Sequence, residues 1–437
     1  MKFIKYIYIL CFAAMFVGCQ DFFGEDSNVD PDNPTTVTVN VLLPQSQARI
    51  AYVYGGDVTR YAGLNTQHVD GVSRQFAVLG NYGISGSDVN TIWSNIYSGV
   101  LNSNRQMLAT AEAKGFNHYQ GIGLAIEAYS VMMMTDLFGD MPYTDALKFA
   151  DNAVYTPTFD SQETVYASVF DLLDQARTLL GSDDGGNAVG GDDLIYGGSI
   201  SSWMAFCNVL EARGKLHLSG RDGNMSGVMA ALNKGGFTST ADEAAFAFGS
   251  TAPEASPWYQ YIEQRDDCEV GANYVALLES LSDPRVETYG FEHSNANPIF
   301  TINQSVKLIS YTEQEFIRAE ALLSSDKAGA FSALSSAITS SFVEAKITAS
   351  ASDYITSLGL SEAVLSLEDV ITQKYIALYT SPEVWSDWRR TGIPELTPNT
   401  GTEVPRRFPY PDSEFAANPN TPSPADIDIF DRVWWDM

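Results

Sequence analysis

Apolar residues recur at helical spacing along much of this chain. In the stretch SDVNTIWSNIYSGVLNSNRQMLATAEAKG, Ile92, Ile96, Val100, Met107 and Leu108 follow that spacing behind a Ser/Asp cap, and Gly115 closes the segment. His118–Phe138, Gln162–Leu180, Ser201–Leu218, Thr312–Leu323, Ala328–Ile347 and Ser361–Tyr379 read as further helices, largely in pairs with short connectors. Between them lie long stretches with no period: Gly181–Gly198, Gly235–Asn303 and the Pro-rich tail from Thr391. Loops of that length in a folded chain are usually functional or disordered.

The segment YTEQEFIRAEALLSSDKAGAFSALSSAITSSF shows one pair clearly, with a turn near Asp326 and Gly329. It approximates the tetratricopeptide hairpin of about 34 residues, although spacing alone does not establish a repeat array. No composition shift marks an internal boundary, so residues 41–437 read as a single domain.

The first residues set an address. MKFIKYIYILCFAAMFVGC carries Lys2 and Lys5, an apolar run from Tyr6 to Val17, then Gly18 and Cys19. That run is too short to span a bilayer and fits a secretory signal. The end, FVGC, resembles a bacterial lipobox. We therefore expect a signal peptide at 1–18, lipidation at Cys19, and a polar tether over 19–40. Several acyl chains on one cysteine anchor a protein stably.

Bulk composition narrows the class. The 437 residues are 45% hydrophobic and 18% charged, as in a folded protein. A net charge of −29 argues against nucleic acid, whose phosphates need a basic surface. The four cysteines form no C-x-x-C and the four histidines no HExxH, so neither a metal site nor a cofactor is expected. Cys207 and Cys268 are expected to be free thiols.

MMMTDLFGDMPYTDALK gathers Asp136, Asp140 and Asp145 around Gly139 and Pro142. Glu127 and Asp136 are nine residues apart on the preceding helix, on opposite faces at about 100° per residue, and form no carboxylate pair. Gly139 and Pro142 end the helix before Asp140 can join it. Asp136 then sits in a last helical turn, where the dipole disfavours an anion. A partner is expected: turn amides, or Arg389 or Arg390 of WRRTG tethering Asp136 or Asp140. Trp385 and Trp388 read as core, and Arg406 and Arg407 as ligands of backbone carbonyls or acids.

Several of these segments, in order, resemble the SusD-like (RagB/SusD) outer-membrane lipoproteins. They are the lipobox at Cys19, TDLFGDMPYTDAL, EFIRAEALL, ITQKYIALYTSPEVWSDWRRTGIPEL, VPRRFPYPDSEFAANP and the closing VWWD. The resemblance implies a mainly α fold, in which four tetratricopeptide-like helix pairs form a scaffold and an irregular loop-rich part packs on it. It also implies a lipid-anchored, surface-facing outer-membrane protein that binds oligosaccharide and serves a TonB-dependent (SusC-like) transporter without catalysis. Some relatives bind peptides or other ligands.

Sugar binding asks for aromatic faces beside planar hydrogen-bonding groups, and loops are the expected place. NTQHVDGVSRQFAVLGNYGISGSD offers His68, Asp70, Arg74, Phe76 and Tyr82. SPWYQYIEQRDDCEVGANY offers Trp258, Tyr259, Tyr261 and Arg265. Two other functions compete: a surface scaffold that binds peptide or protein, and a secreted glycoside hydrolase using two carboxylates. No G-x-S-x-G or HExxH supports a hydrolase.

Overall fold

The computed structural model describes residues 37–148, 154–290, 294 and 297–436. The expected signal peptide and the expected lipidation site at Cys19 lie outside them. From Val39 onward the chain forms one unit.

The first helical stretch runs from α1 (Val39–Val53) through a π-helical turn (Tyr54–Val58) into α2 (Thr59–Asn65). The helix thus begins inside the stretch read as tether. Pro44 and the Gly55–Gly56 pair interrupt its apolar period, which is why the spacing did not announce it. Gly56 takes non-helical angles (φ −102°, ψ −114°). A Cβ on Gly55 would lie 2.3 Å from Val306 Cγ2, so glycine lets the strand containing Val306 approach the turn.

Next come β1 (Val69–Gly71), α3 (Arg74–Leu79) and α4 (Gly86–Ser94). A capping box of Ser85 and Asp88 starts α4. A second π segment (Asn95–Leu101) joins it to α5 (Asn102–Lys114), which Gly115 ends in the left-handed conformation (φ +71°).

The central helix α6 (Asn117–Phe138) is followed by α7 (Gln162–Leu180), α8 (Ile200–Asp222) and α9 (Met225–Leu232). Among the described residues, α6 is the one helix long and apolar enough to cross a membrane. Its apolar window is 94% buried, which makes it the core element against which α5 and α7 pack.

A loop-rich part follows: β2 (Ala244–Phe246), α10 (Pro257–Gln264), β3 (Cys268–Val270), α11 (Ala272–Ser280), α12 (Val286–Tyr289) and β4 (Val306–Ile309). Two antiparallel ladders form, β1 with β3 (Asp70 opposite Glu269) and β2 with β4 (Phe246 opposite Val306).

The hairpin expected from sequence is α13 (Tyr311–Leu322) and α14 (Lys327–Glu344). Ser310 and Asp326 cap the two helices, and Phe316, Ala319, Ala333, Ala337 and Phe342 share a buried seam. Small side chains there let the backbones come close. α15 (Ala351–Ser357), α16 (Leu367–Ala377), α17 (Glu383–Thr391) and α18 (Asp412–Ala417) complete the chain. The stretch 361–366, expected as the start of α16, stays outside the helix because Ser366 caps it five residues late, with Asp369 closing a capping box.

Gly139 ends α6 at φ +78°. The Asp136 carboxylate is buried and accepts from Tyr166 Oη (2.5 Å) and Trp435 Nε1 (2.8 Å), with His217 Nδ1 at 3.3 Å. Arg389 reaches this residue differently from the expected carboxylate pair: its guanidinium donates to the Asp136 backbone carbonyl at 2.6 Å. Arg390 pairs instead with Glu320 (2.7 Å) and Asp387 (3.1 Å). The exposed Asp140 accepts from the Gln162 amide (2.8 Å), a helix-capping contact with no arginine in it.

The network continues through His217 Nε2 to Glu383 (3.1 Å) and from Glu383 to Arg213 (3.5 Å), which also grips Glu313 (2.6 Å). Burial alone would lower the His217 pKa, but Asp136 and Glu383 outweigh it and raise it to about 9. Arg406 bonds both oxygens of Asp436 at 2.7 Å, and Arg407 donates to the Phe138 carbonyl. Trp385 and Trp388 are core. Cys207 and Cys268 are buried free thiols.

Candidate functional site

The two loop stretches singled out in the sequence meet. Pairing of β1 with β3 brings 69–71 beside 268–270, and the buried carboxylate of Asp267 staples the flanks together. Ser73 Oγ (2.9 Å) and Arg74 Nε (2.5 Å) donate to it from one side, and Arg265 Nε (3.0 Å) and Nη2 (2.9 Å) from the other. Burial pushes this carboxyl up, yet the donors hold it below the usual carboxylate range.

The candidate residues thereby separate into roles. Arg74 and Arg265 clamp Asp267, with side chains 59% and 41% exposed. Asp70 accepts from the Ala272 amide (2.8 Å) and so fixes the start of α11. His68 is buried, its Nε2 3.0 Å from the Tyr375 carbonyl, and burial lowers its pKa to about 3. A neutral ring bonded to a carbonyl must carry its proton on Nε2.

The aromatics sit deeper than a stacking platform requires. Phe76, Tyr82, Trp258 and Tyr261 are all buried, unlike the exposed faces expected of them. Phe76 packs on Tyr61 and Tyr261, with centroids 6.0 and 5.0 Å away. Tyr82 packs edge-on to Phe430, and its hydroxyl accepts from the Asn399 amide (3.0 Å). Trp258 packs on Phe300, with centroids 5.2 Å apart. Tyr259 is half-buried and lines neither of the cavities described below. Short segments in this region alternate between neighbours on two sides, so an aromatic that looks exposed in sequence finds a partner in the fold.

What the junction opens is a cleft of about 330 Å³. Phe76 and Tyr261 line it with Gln75, Gln260 and Gln264, and Tyr52 (45% exposed) stands at its edge; the Gln75 and Gln260 amides donate to Asp88 and to the Ala255 carbonyl (both 2.7 Å), which leaves their carbonyl oxygens as acceptors. Gln260 and Gln264 share a face of α10 at i, i+4 spacing. Arg60 lies under the cleft, its guanidinium 4.7 Å from the Tyr261 ring and 2.6 Å from Asp57. Its Nε–H is buried without an acceptor among the described residues. A buried donor left that way costs about 1–3 kcal/mol. The two carboxylates of the cleft are held internally: Asp57 by Arg60, and Asp88 by Ser85 and Gln75. Amides, a guanidinium and an exposed phenol suit a polyhydroxylated ligand. Tied carboxylates offer no free acid and base. Among the described residues no group of three or more His, Cys, Asp or Glu is placed to hold a metal.

Sequence reasoning missed Tyr52, Arg60, Gln75, Gln260 and Gln264. For Gln260 and Gln264 a signal existed in PWYQYIEQ, whose i, i+4 amides flank Tyr261 on one helix face. For Tyr52 and Arg60 there was none, because the helix that carries them was not apparent.

Comparison with known proteins decides the family. A profile described as SusD-like, "starch-binding associating with outer membrane", matches residues 31–301 and 291–411. The chain belongs to the SusD-like family. SusD-like folds of known structure superpose over nearly all of it. A SusD/RagB family protein from Bacteroides thetaiotaomicron is 24% identical, with a TM-score of 0.75 over 92% of this chain and 99% of that one. A chitin-binding SusD homologue from Flavobacterium johnsoniae is 21% identical, with a TM-score of 0.74 over 91% and 98%. An outer membrane protein from Bacteroides vulgatus, described as putative and probably involved in nutrient binding, is 23% identical, with a TM-score of 0.72 over 92% and 100%. No curated protein sequence matches. SusD-like membership places the protein among outer-membrane-associated nutrient-binding proteins of mainly helical fold.

Proposed function

We propose that this SusD-like protein is a lipid-anchored, surface-facing receptor that captures oligosaccharide in the Tyr52–Gln264 cleft. It passes the sugar to a TonB-dependent outer-membrane transporter and does not cleave it. The observation that carries the reading is the cleft itself: segments 193 residues apart at Arg74 and Asp267 are clamped so that three glutamines, Tyr52 and Arg60 line one opening. The starch-binding description of the family and the chitin-binding title of one structural neighbour point to neutral glycans as first probes.

The test is calorimetry on the full chain carrying Cys19→Ser, with malto- and chito-oligosaccharides. Saturable binding without new reducing ends is expected. The double variant Gln260→Ala/Gln264→Ala should lose about two neutral hydrogen bonds, or roughly 2 kcal/mol, which is about 30-fold in Kd. Unchanged affinity in that variant, or release of cleaved sugar, refutes the reading. Co-purification of the lipidated protein with an outer-membrane barrel tests the delivery step.

A further inference from the structure

The π-helical turn Tyr54–Val58 and α10 form a wall with a cavity on each side. Asp57, Arg60 and Tyr61 face the cleft, whereas Tyr54, Gly55 and Thr59 face a second cavity of about 590 Å³. Pro257 lines both. The Arg60 guanidinium sits 4.7 Å from Tyr261 on the cleft side and 5.7 Å from Trp258 on the other, so the wall is one side chain thick. π turns of this kind recur at functional sites.

The far cavity is larger than the cleft and differently built. Tyr54, Trp258, Tyr289 and Tyr379 contribute aromatic edges, and the exposed Asn303 and half-buried Gln304 contribute carboxamides. Its volume falls in the range of small-molecule pockets, about 300–1,000 Å³. Close-packed interiors do not leave polar voids of that size as packing faults.

Charge narrows the occupant. Glu243 and Glu344 share one ammonium, Lys307, at 2.9 and 3.0 Å. The third carboxylate on the lining, Glu313, is taken by Arg213 from behind at 2.6 Å. Lys346, the other cation, donates to the Pro298 carbonyl at 3.1 Å. Among the described residues, Lys307 and Lys346 therefore balance Glu243 and Glu344, and the lining carries no excess charge. Burial, against the pull of Lys307 and with Glu344 alongside, pushes the Glu243 carboxyl up to about 7, which weakens its negative charge further. A balanced lining offers no net charge to draw in a uronate or sulfate, whose lost hydration would go uncompensated, and an uncharged sugar meets no such cost.

We propose that this cavity is a second carbohydrate pocket, separate from the cleft and selective for uncharged sugar units. The proposal rests on the oligosaccharide-binding reading above, and the experiment separates the two. The full chain carrying Cys19→Ser is titrated with maltotriose and chitotriose, and the stoichiometry is read by calorimetry. For the series that binds, two sites are expected in the parent. One site should remain in Ser305→Trp, which fills the cavity, and one in Gln260→Ala/Gln264→Ala, which disables the cleft. Asn303→Ala/Gln304→Ala serves as a milder second variant, lowering affinity at one site about tenfold or more. Thermal melts confirm that each variant is folded. In the cleft-disabled chain, the neutral trisaccharide should bind and tri-galacturonic acid should not.

A single site in the parent, abolished by the cleft variant, overturns the second pocket and leaves the receptor reading standing. No binding of either series to the parent overturns both. Equal binding of neutral and acidic trisaccharides in the cleft-disabled chain overturns the charge selectivity.

Discussion

Asp136→Asn removes one charge from the buried chain Asp136–His217–Glu383–Arg213 without changing shape. His217 is raised from 6.5 to about 9, with Asp136 the foremost of the groups raising it. A gap of that size corresponds to about 3 kcal/mol. The amide keeps an acceptor for Tyr166 and Trp435 but presents a donor or a weaker acceptor to the imidazolium. We expect a cost of about 3 kcal/mol at pH 6, within the range for breaking a buried pair. Unfolding entropy is about 2.1 cal/mol/K per residue, or roughly 0.8 kcal/mol/K for a chain of about 400 residues, so Tm should fall by about 4 °C.

The sign of the pH dependence follows. A histidine whose folded pKa lies above its unfolded one contributes stability that is complete below about pH 6.5 and lost as pH rises through about 9. The gap between parent and variant should therefore be largest at pH 6, shrink from about pH 6.5 upward and nearly close by pH 9. Scanning calorimetry on both chains from pH 6 to 10 measures it. A variant within 1 °C of the parent at pH 6, or a gap that stays constant across the range, would refute the account.

Three further outcomes are expected. Gly71→Ala places a Cβ 1.9 Å from the Phe76 carbonyl oxygen, so the ladder under the cleft must shift; oligosaccharide affinity should drop at least tenfold, while Val72→Ala at an exposed neighbour leaves it unchanged by calorimetry. Arg285 is fully buried and holds Asp283 (2.6 Å), Ser341 (2.8 Å) and Gln373 (2.6 Å); its replacement by alanine should cost about 3–5 kcal/mol in denaturant titration, and Arg74→Ala, which removes an exposed guanidinium while Arg265 and Ser73 still hold the buried Asp267, under about 1 kcal/mol. Burial pushes the Cys207 and Cys268 thiols up to about 12, so in a Cys11→Ser/Cys19→Ser background a thiol reagent at pH 8 should label the protein only after denaturant is added.

The helical scaffold was legible because burial of one face writes a period into the sequence. α7 begins and ends where its spacing said, at Gln162 and Leu180. The α13–α14 hairpin was readable from its small residues and its cap at Asp326. The stretch 39–65 was not, since Pro44 and two glycines interrupt its period while tertiary contacts hold the helix together. For Asp136, dipole reasoning anticipated a partner; which group answers depends on a helix 30 residues away at Tyr166 and a turn 299 residues away at Trp435, and no local pattern encodes that. The candidate site was legible as two stretches but not as a surface. Local composition marks Phe76 and Tyr261 as aromatic, and only their meeting at 5.0 Å turns them into a floor.

That meeting has a kinetic side. The β1–β3 ladder ties residues 69–71 to 268–270, so the cleft is a long-range object in a chain made mostly of neighbours. Closing a loop of about 200 residues costs roughly 1.5 kcal/mol more entropy than closing a 34-residue hairpin. The scaffold pairs should therefore assemble early in refolding and the ladder late. A sugar that binds only the closed ladder adds its free energy at that last step. Amides of Val69–Gly71 would then exchange hydrogen before those of α6, and would slow first when sugar is added.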